Sequence, residues 1–473
     1  MSLLRQSGLA AASAILLTGS RFVFSAILAR AMSVESFGQF AYTQWIVDIA
    51  FLVCSFGATG AAGRYFAEYR TEPHRLAAFL KAWQPWAWAL PVLASAVAIV
   101  GAMLSGYLLD LPTSFALAFW AGASGSMGLY TSALVGLQRF ELILTSNVVL
   151  AAMMITGAAW LPVDVYGIAA LFAWMAAANL LAAMPGWLAV HQVKRVRPTT
   201  ALNATDLGLI KRYAINMWFV ALLWSLVWSR GELPFVKAML GDGAVAGYVA
   251  ALTIFGGAMQ GVMLGMSAVA PQLTRLIGEG KKRDAVQLAR KITEYQLIIC
   301  GLAVSLLALL APEIMSIVFG EKYKSSAMTL TILSLGIIPL AFSTQNHILQ
   351  IETNGNYSLV TTLIGLLTLA AFSYLLTERF KISGVAFSRM AAISLVGVLS
   401  VAVMLMREGK SSMPLLQIAN TAAFLLFLVI MVIMLPGGDL GRLIRYGAAL
   451  LSALIFGILL LKKIKTRNIF TMQ

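Results

Sequence analysis

The chain has 473 residues, 60% of them hydrophobic and only 11% charged, with a mean hydropathy of +0.86. A soluble domain is about a quarter charged, and no hydrophilic segment here is long enough to form one, which leaves a polytopic helical membrane protein. The formal net charge of +15 would suit nucleic acid, but its placement along the chain gives it another meaning.

Apolar runs of roughly 20 residues, the length that crosses a bilayer as a helix, recur from end to end. The first, at 9–31, follows Arg5 and begins like a signal peptide. Its apolar character continues past Arg21 to about Met32 without a small-residue cleavage site, so it is predicted to be a span. Gly, Pro and charged breaks then delimit 39–62, 83–109, 114–137, 142–161 and 166–190 in the first half. They continue with 213–239, 244–271, 294–319, 326–350, 357–377 and 382–406, and end with 414–436 and 443–461. The prediction is all-α, with about 14 transmembrane helices. Cys54 and Cys300 fall inside spans, so neither a disulfide framework nor a metal cluster is expected.

With the N-terminus in the cytoplasm, the inner connections are 63–82, 138–141, 191–212, 272–293, 351–356 and 407–413. These and the termini hold most of the 34 Lys and Arg residues, through "HQVKRVRP", "GEGKKRDAVQLARK" and "KKIKTR". The short outer connections hold acids and bases in near balance, including Asp110, Asp164, Asp242 and Asp439. This is the positive-inside asymmetry, and it places both termini in the cytoplasm. It accounts for the basic balance without a nucleic-acid partner.

The chain also repeats itself. "GSRFVFSAILARAMSVESFGQFAY" carries Ser20-Arg21, Arg30-Ala31-Met32, Glu35 and Gly38; "WSRGELPFVKAMLGDGAVAGYVA" carries Ser229-Arg230, Lys237-Ala238-Met239, Asp242 and Gly247. "GLQRFELIL" then matches "TNGNYSLVT", and "VYGIAA" matches "ISGVAF", in the same order. Six spans per copy is an even number, so the halves are parallel repeats about an axis along the membrane normal. The expected domains are 1–200 and 201–410, each a six-helix bundle, and an appendage of two helices with a basic tail at 411–473.

"LARAMSVESFGQFAY" resembles the N-terminal signature of bacterial polysaccharide-type flippases. The stretch from "FGEKYKSSAMTL" to "ISGVAF" resembles that family's second-half signature. These exporters belong to the multidrug/oligosaccharidyl-lipid/polysaccharide superfamily, and the resemblance covers nearly the whole chain through helix-end and glycine patterns. It implies a V-shaped pair of pseudo-symmetric six-helix bundles around a central cavity. It also implies a cargo of undecaprenyl-diphosphate-linked oligosaccharide, turned from the cytoplasmic to the outer leaflet. A polysaccharide polymerase and a chain-length regulator would then be partners, besides membrane lipids.

Three bases lie away from loops and helix ends, Arg21, Arg230 and, less deeply, Arg389; the acids are Asp48, Glu232 and Glu313. A charge at mid-bilayer costs about 2.5–3.5 kcal/mol on insertion scales, so it faces a partner or a water-filled cavity. Arg21 and Asp48 both fall roughly 18–21 Å above the inner boundary and are expected to pair. The pair reads either as a structural bridge or as a cavity Arg whose availability Asp48 controls. Arg230 and Glu232, two apart, cannot share a helical face. Pro234 cannot donate to the Arg230 carbonyl and Gly231 loosens the same turn, so a break is expected there. A break at that depth is tolerated where it lines a cavity or is buried in protein. The alternative is that Arg230 snorkels to the outer surface. As repeat equivalents, Arg21 and Arg230 would face each other, and two guanidinium forks suit a diphosphate or an acidic sugar. Arg389 is a third candidate for substrate, with snorkelling its alternative.

No phosphate-binding loop or hydrolytic signature is present, "GEGKKR" lacking the Gly-Lys-Ser/Thr ending. The expected activity is therefore secondary transport by alternating access and not catalysis, with no cofactor. Asp48, Glu232 and His347 are the candidates for coupling to H+ or Na+, Pro234 is a gating candidate, and uncoupled exchange stays open. A multidrug exporter of the same superfamily is the alternative, disfavoured because cavity arginines repel cations. A glycan polymerase or ligase is disfavoured by the short outer loops.

Overall fold

The computed structural model describes residues 3–107, 110–161, 163–193, 202–353, 355–434 and 438–466, which are helical nearly throughout and contain no strand. Of the expected inner loop at 191–212, residues 194–201 lie outside the described residues, while 191–193 end one helix and 204–212 begin the next. By length and composition 11 helices can cross a membrane, or 12 when the broken pair Ala204–Arg230 and Leu233–Leu240 counts as one span. Two features account for the difference from fourteen. The helix Leu111–Gly136 is long enough, but its Gly and Ser residues leave it less apolar than the counted spans. The helix Asn356–Glu408 joins two expected spans across Lys381, whose φ of 54° and ψ of −136° are not helical.

The chain forms two compact units, Met1–Arg230 and Gly231–Gln473. The division falls inside the broken helix rather than at residue 200, and 411–473 belongs to the second unit.

In the first unit, α1 is Leu3–Ala31, α2 Val34–Ser55, α3 Ala58–Glu68, α4 Pro73–Leu104, α5 Leu111–Gly136, α6 Phe140–Trp160, α7 Val163–Val193 and α8 Ala204–Ser225. Starts are set by residues whose oxygens satisfy amide groups left open at the first turn. Ser33 Oγ accepts from Ser36 N at 3.1 Å, Asp110 from Thr113 N at 3.1 Å and Asn203 from Asp206 N at 2.7 Å. Several helices run beyond the predicted spans, α4 starting at Pro73, because apolar windows mark only the part that lies in lipid. At the centre, α5 packs against α2, α3, α4 and α7. Tyr65, Phe66, Tyr69, Phe79 and Trp83 form a buried aromatic cluster between α3 and α4, with Phe66 and Phe79 edge to face at 5.2 Å.

The expected span 39–62 is broken between α2 and α3. Phe56 and Gly57 both take left-handed dihedrals, φ 42° and 77°. The indole of Trp218 on α8 donates to Leu52 O at 2.9 Å, and that of Trp83 donates to Ala58 O at 3.3 Å. Gly57 also lets α8 approach, since a Cβ there would stand 1.8 Å from Ala214 O. Gly57→Ala must therefore displace α8 besides straining the backbone by roughly 1–2 kcal/mol. It should lower the unfolding midpoint in detergent, whereas Gly63→Ala, with open space around its Cβ, should not. Equal midpoints for the two variants would overturn this account of the break.

In the second unit, α9 is Leu233–Leu240, α10 Asp242–Gly278, α11 Lys282–Leu309, α12 Ala311–Phe319, α13 Ala327–Leu335, α14 Ser343–Glu352, α15 Asn356–Glu408, α16 Leu415–Met434 and α17 Asp439–Thr466. The expected loop 272–293 is helical except for the turn between α10 and α11. The expected span 326–350 is interrupted between α13 and α14, where Pro339 stands at the start of a 3-10 turn, Ile338–Phe342. The hub is α11, which packs against α10, α13, α14, α16 and α17. Ala308 and Leu309 of α11 are buried with Leu428 of α16 and Ala449 of α17, which fixes the two last helices to this unit.

Candidate functional site

The first unit contains a cavity of about 390 Å³ whose wall carries charged and amide side chains among apolar ones. Arg21 comes from the middle of α1, Gln44 and Asp48 from α2, Ser124 and Thr131 from α5, Asn147 from α6 and Asn179 from α7. The amides are held from behind. Asn147 Nδ2 donates to Ser13 Oγ at 2.7 Å, and Asn179 Nδ2 donates to Met175 O at 2.7 Å. Trp120, stacked on Phe40 and Phe172, forms part of the same wall.

Arg21 and Asp48 are both exposed and share this wall. Their expected pairing takes the form of an electrostatic interaction, and among the described residues no ion pair within 4 Å joins them. Arg230 also acts electrostatically on Asp48. Two guanidinium groups and one carboxylate thus share one field with an excess of positive charge. Guanidinium forks on a polar wall can bind phosphate or carboxylate oxygens.

Arg230 stands immediately before the break that the sequence predicts. A π-helical turn at Leu226–Arg230 follows α8, Gly231 and Glu232 form a turn, and α9 begins at Leu233. Pro234 stands in the first turn of α9, where its missing N–H has no helical partner to lose. It therefore starts a helix instead of kinking one.

The second unit holds the remaining candidates. Arg389 Nη1 donates to Glu232 Oε1 at 2.7 Å, and the Tyr248 hydroxyl donates to the same oxygen at 2.5 Å. Arg389 is 2% exposed, and Glu232 and Tyr248 are each 0% exposed. Arg389 was expected to bind substrate or to snorkel, but it is buried in protein and neutralised by Glu232. Glu232, expected to couple or gate, is here the partner of a buried charge. Its Oε2 is buried without a hydrogen-bond partner among the described residues. His347 on α14 is partly buried, with its Nε2 3.2 Å from Thr274 Oγ1 of α10. Glu313 lies at the start of α12 and pairs with Arg445 of α17 at 3.6 Å. The sequence reading missed Tyr248 and the cavity amides, because nothing local in "GAVAGYVA" or "LTSNVVL" marks what a residue meets across helices.

A family model for polysaccharide biosynthesis proteins matches residues 3–277, more than half of the chain. The chain belongs to the polysaccharide biosynthesis protein family. A MatE family model also matches residues 233–375. Among solved structures, a multidrug resistance MATE family transporter of the MOP superfamily, in an inward-facing conformation, is 16% identical. It covers 83% of this chain and 94% of its own, with a TM-score of 0.67. The lipid II flippase MurJ, inward closed, is 12% identical, covers 96% and 99%, and has the same TM-score of 0.67. The Vibrio cholerae MATE transporter VcmN, solved as a point mutant, is 15% identical, covers 87% and 97%, and scores 0.53. At these identities the likeness establishes the fold. No match was found among curated proteins. This family member is accordingly a multi-pass membrane protein with the transporter fold shared by MATE proteins and MurJ.

Proposed function

We propose that the protein is a flippase for an anionic, lipid-linked oligosaccharide, carried on undecaprenyl diphosphate and moved from the cytoplasmic to the outer leaflet for cell-surface polysaccharide synthesis. The observation that carries this reading is the charge arrangement of the first unit, with Arg21 and Arg230 both acting around Asp48 beside a polar-walled cavity. A diphosphate gives such forks their best partner. The family's description as polysaccharide biosynthesis proteins, and the lipid II cargo in MurJ's name, point to the same class of substrate. The chain would sit in the bacterial inner membrane with cytoplasmic termini, as the basic loops favour. It would work by alternating access, supplying a polysaccharide polymerase with its chain-length regulator. Asp48 is the coupling residue we favour for H+ or Na+, because it is an accessible carboxylate.

A multidrug exporter is the second reading, favoured by the MatE match at 233–375 and by the resemblance to MATE structures. The experiment that separates them is to locate lipid-linked repeat units in a deletion strain. Retention of intact units in the inner leaflet is the expected result. Unpolymerised units on the outer surface, or drug sensitivity with normal polymer, would overturn it.

A further inference from the structure

A second polar cavity, of about 600 Å³, lies in the other unit. It is formed by the first turns of α11, through Arg283, Gln287, Arg290, Lys291 and Glu294, and by the end of α15, through Arg407, Glu408 and Ser411. On α11 the spacing 283, 287, 290, 291, 294 is a single helical stripe, opposite the buried Ala285 and Ala289. The end of α17 joins the same place, because Lys463 Nζ lies 2.5 Å from Glu294 Oε2. One start and two ends of helices long and apolar enough to cross a membrane therefore meet here, and the ends of such spans are where lipid headgroups are expected.

The cavity's acids are already neutralised. Glu294 pairs with Lys463 and with Arg290 at 3.6 Å, and Glu408 pairs with Lys282 at 2.5 Å. Arg290 is fixed by donating to Ser411 O at 2.9 Å, and Arg407 lies 3.5 Å from Glu352. Arg283 and Lys291 line the cavity with no ion pair among the described residues. Asp284 follows Arg283 directly and so points from a different face of the helix. The wall thus presents bases in excess, at the ends of candidate spans, with room for a headgroup.

We infer that this cavity binds the phosphodiester headgroup of an anionic phospholipid. Arg283 and Lys291 contact the phosphate, and Arg290 and Arg407 supply the surrounding field. Basic pockets between transmembrane helices commonly take such headgroups, and each base near the membrane surface contributes several-fold in affinity. The site is independent of the cargo reading, since it needs only a membrane with acidic lipid.

The test uses the purified full chain in a neutral detergent, titrated with phosphatidylglycerol, phosphatidylcholine or inorganic phosphate, with bound lipid read by native mass spectrometry. Phosphatidylglycerol should bind at least about tenfold more tightly than phosphatidylcholine. The R283Q/K291Q double variant should lose that preference, while an R442Q control keeps it. The unfolding midpoints of the lipid-free variants should match the wild type, because both substituted side chains stand on the cavity wall rather than in the core. Equal binding of the two lipids by the wild type, or an unchanged preference in the double variant, would overturn the site. Phosphate competing at the same concentrations as phosphatidylglycerol would overturn the lipid assignment and leave a soluble anion site.

Discussion

Arg389→Ala should sharply reduce the amount of folded protein recovered from membranes. The substitution leaves Glu232 as a charge with 0% exposure, held only by the Tyr248 hydroxyl. Breaking a buried pair from one side costs about 3–5 kcal/mol, because the remaining charge has neither water nor a counter-ion. A typical domain is stable by only about 5–15 kcal/mol, so the loss approaches what the unit can bear. Glu232→Gln is expected to destabilise for the same reason, with the guanidinium now uncompensated. The double variant Glu232→Gln/Arg389→Met removes both charges and keeps side-chain volume, and replacing a whole buried pair is often close to neutral. Its unfolding midpoint should return toward the wild type. Equally low midpoints for single and double variants would refute the pairing account. Transport by the recovered double variant separates two roles. Normal flipping leaves Glu232 as a structural pin, and folded but inactive protein makes its carboxylate a working part of the cycle.

The sequence carried most of the architecture because lipid imposes a strong rule, that apolar runs of sufficient length become helices. The break after Arg230 was legible for a local reason, Gly231 and Pro234 within one turn of two charges. The break at Gly57 was not, since "SFGATGAAG" reads as an ordinary small-residue helix segment. Its cause is tertiary, the approach of Ala214 and the indoles of Trp218 and Trp83 to the backbone. The charged residues divide in the same manner. Hydropathy flags Arg21, Asp48, Arg230, Glu232 and Arg389 alike as out of place in a membrane. It cannot say that Arg389 finds its carboxylate 157 positions earlier in the chain. Depth estimated from helix rise put Arg21 and Asp48 at one level, and both line the same cavity wall with no ion pair within 4 Å between them among the described residues. Arg389 sat near a predicted helix end and so invited a snorkelling reading, which a partner in the core makes unnecessary.

The same distinction governs what Arg21 and Arg230 should do when altered. Neither carries the burial of Arg389, and Arg21 is exposed on the cavity wall. Arg21→Ala and Arg230→Ala are therefore expected to leave protein level and membrane insertion normal while abolishing polymer export. A hydrogen bond to a charged group contributes about 1.5–3 kcal/mol, so losing one fork weakens cargo binding by tenfold to about a hundredfold. Lys should restore export only in part, since it keeps the charge but not the planar fork that matches a phosphate. Asp48→Asn makes the complementary change. It removes the carboxylate on which both guanidiniums act, so cargo binding should tighten while turnover slows if Asp48 competes with the cargo for them. A cysteine at 230 should react with a membrane-impermeant thiol reagent in at least one transport state, because a cargo phosphate brings its water with it. Full export by both alanine variants would remove the binding role. Loss of protein in place of loss of transport would make the two arginines structural like Arg389, and the cavity field would then serve folding rather than cargo.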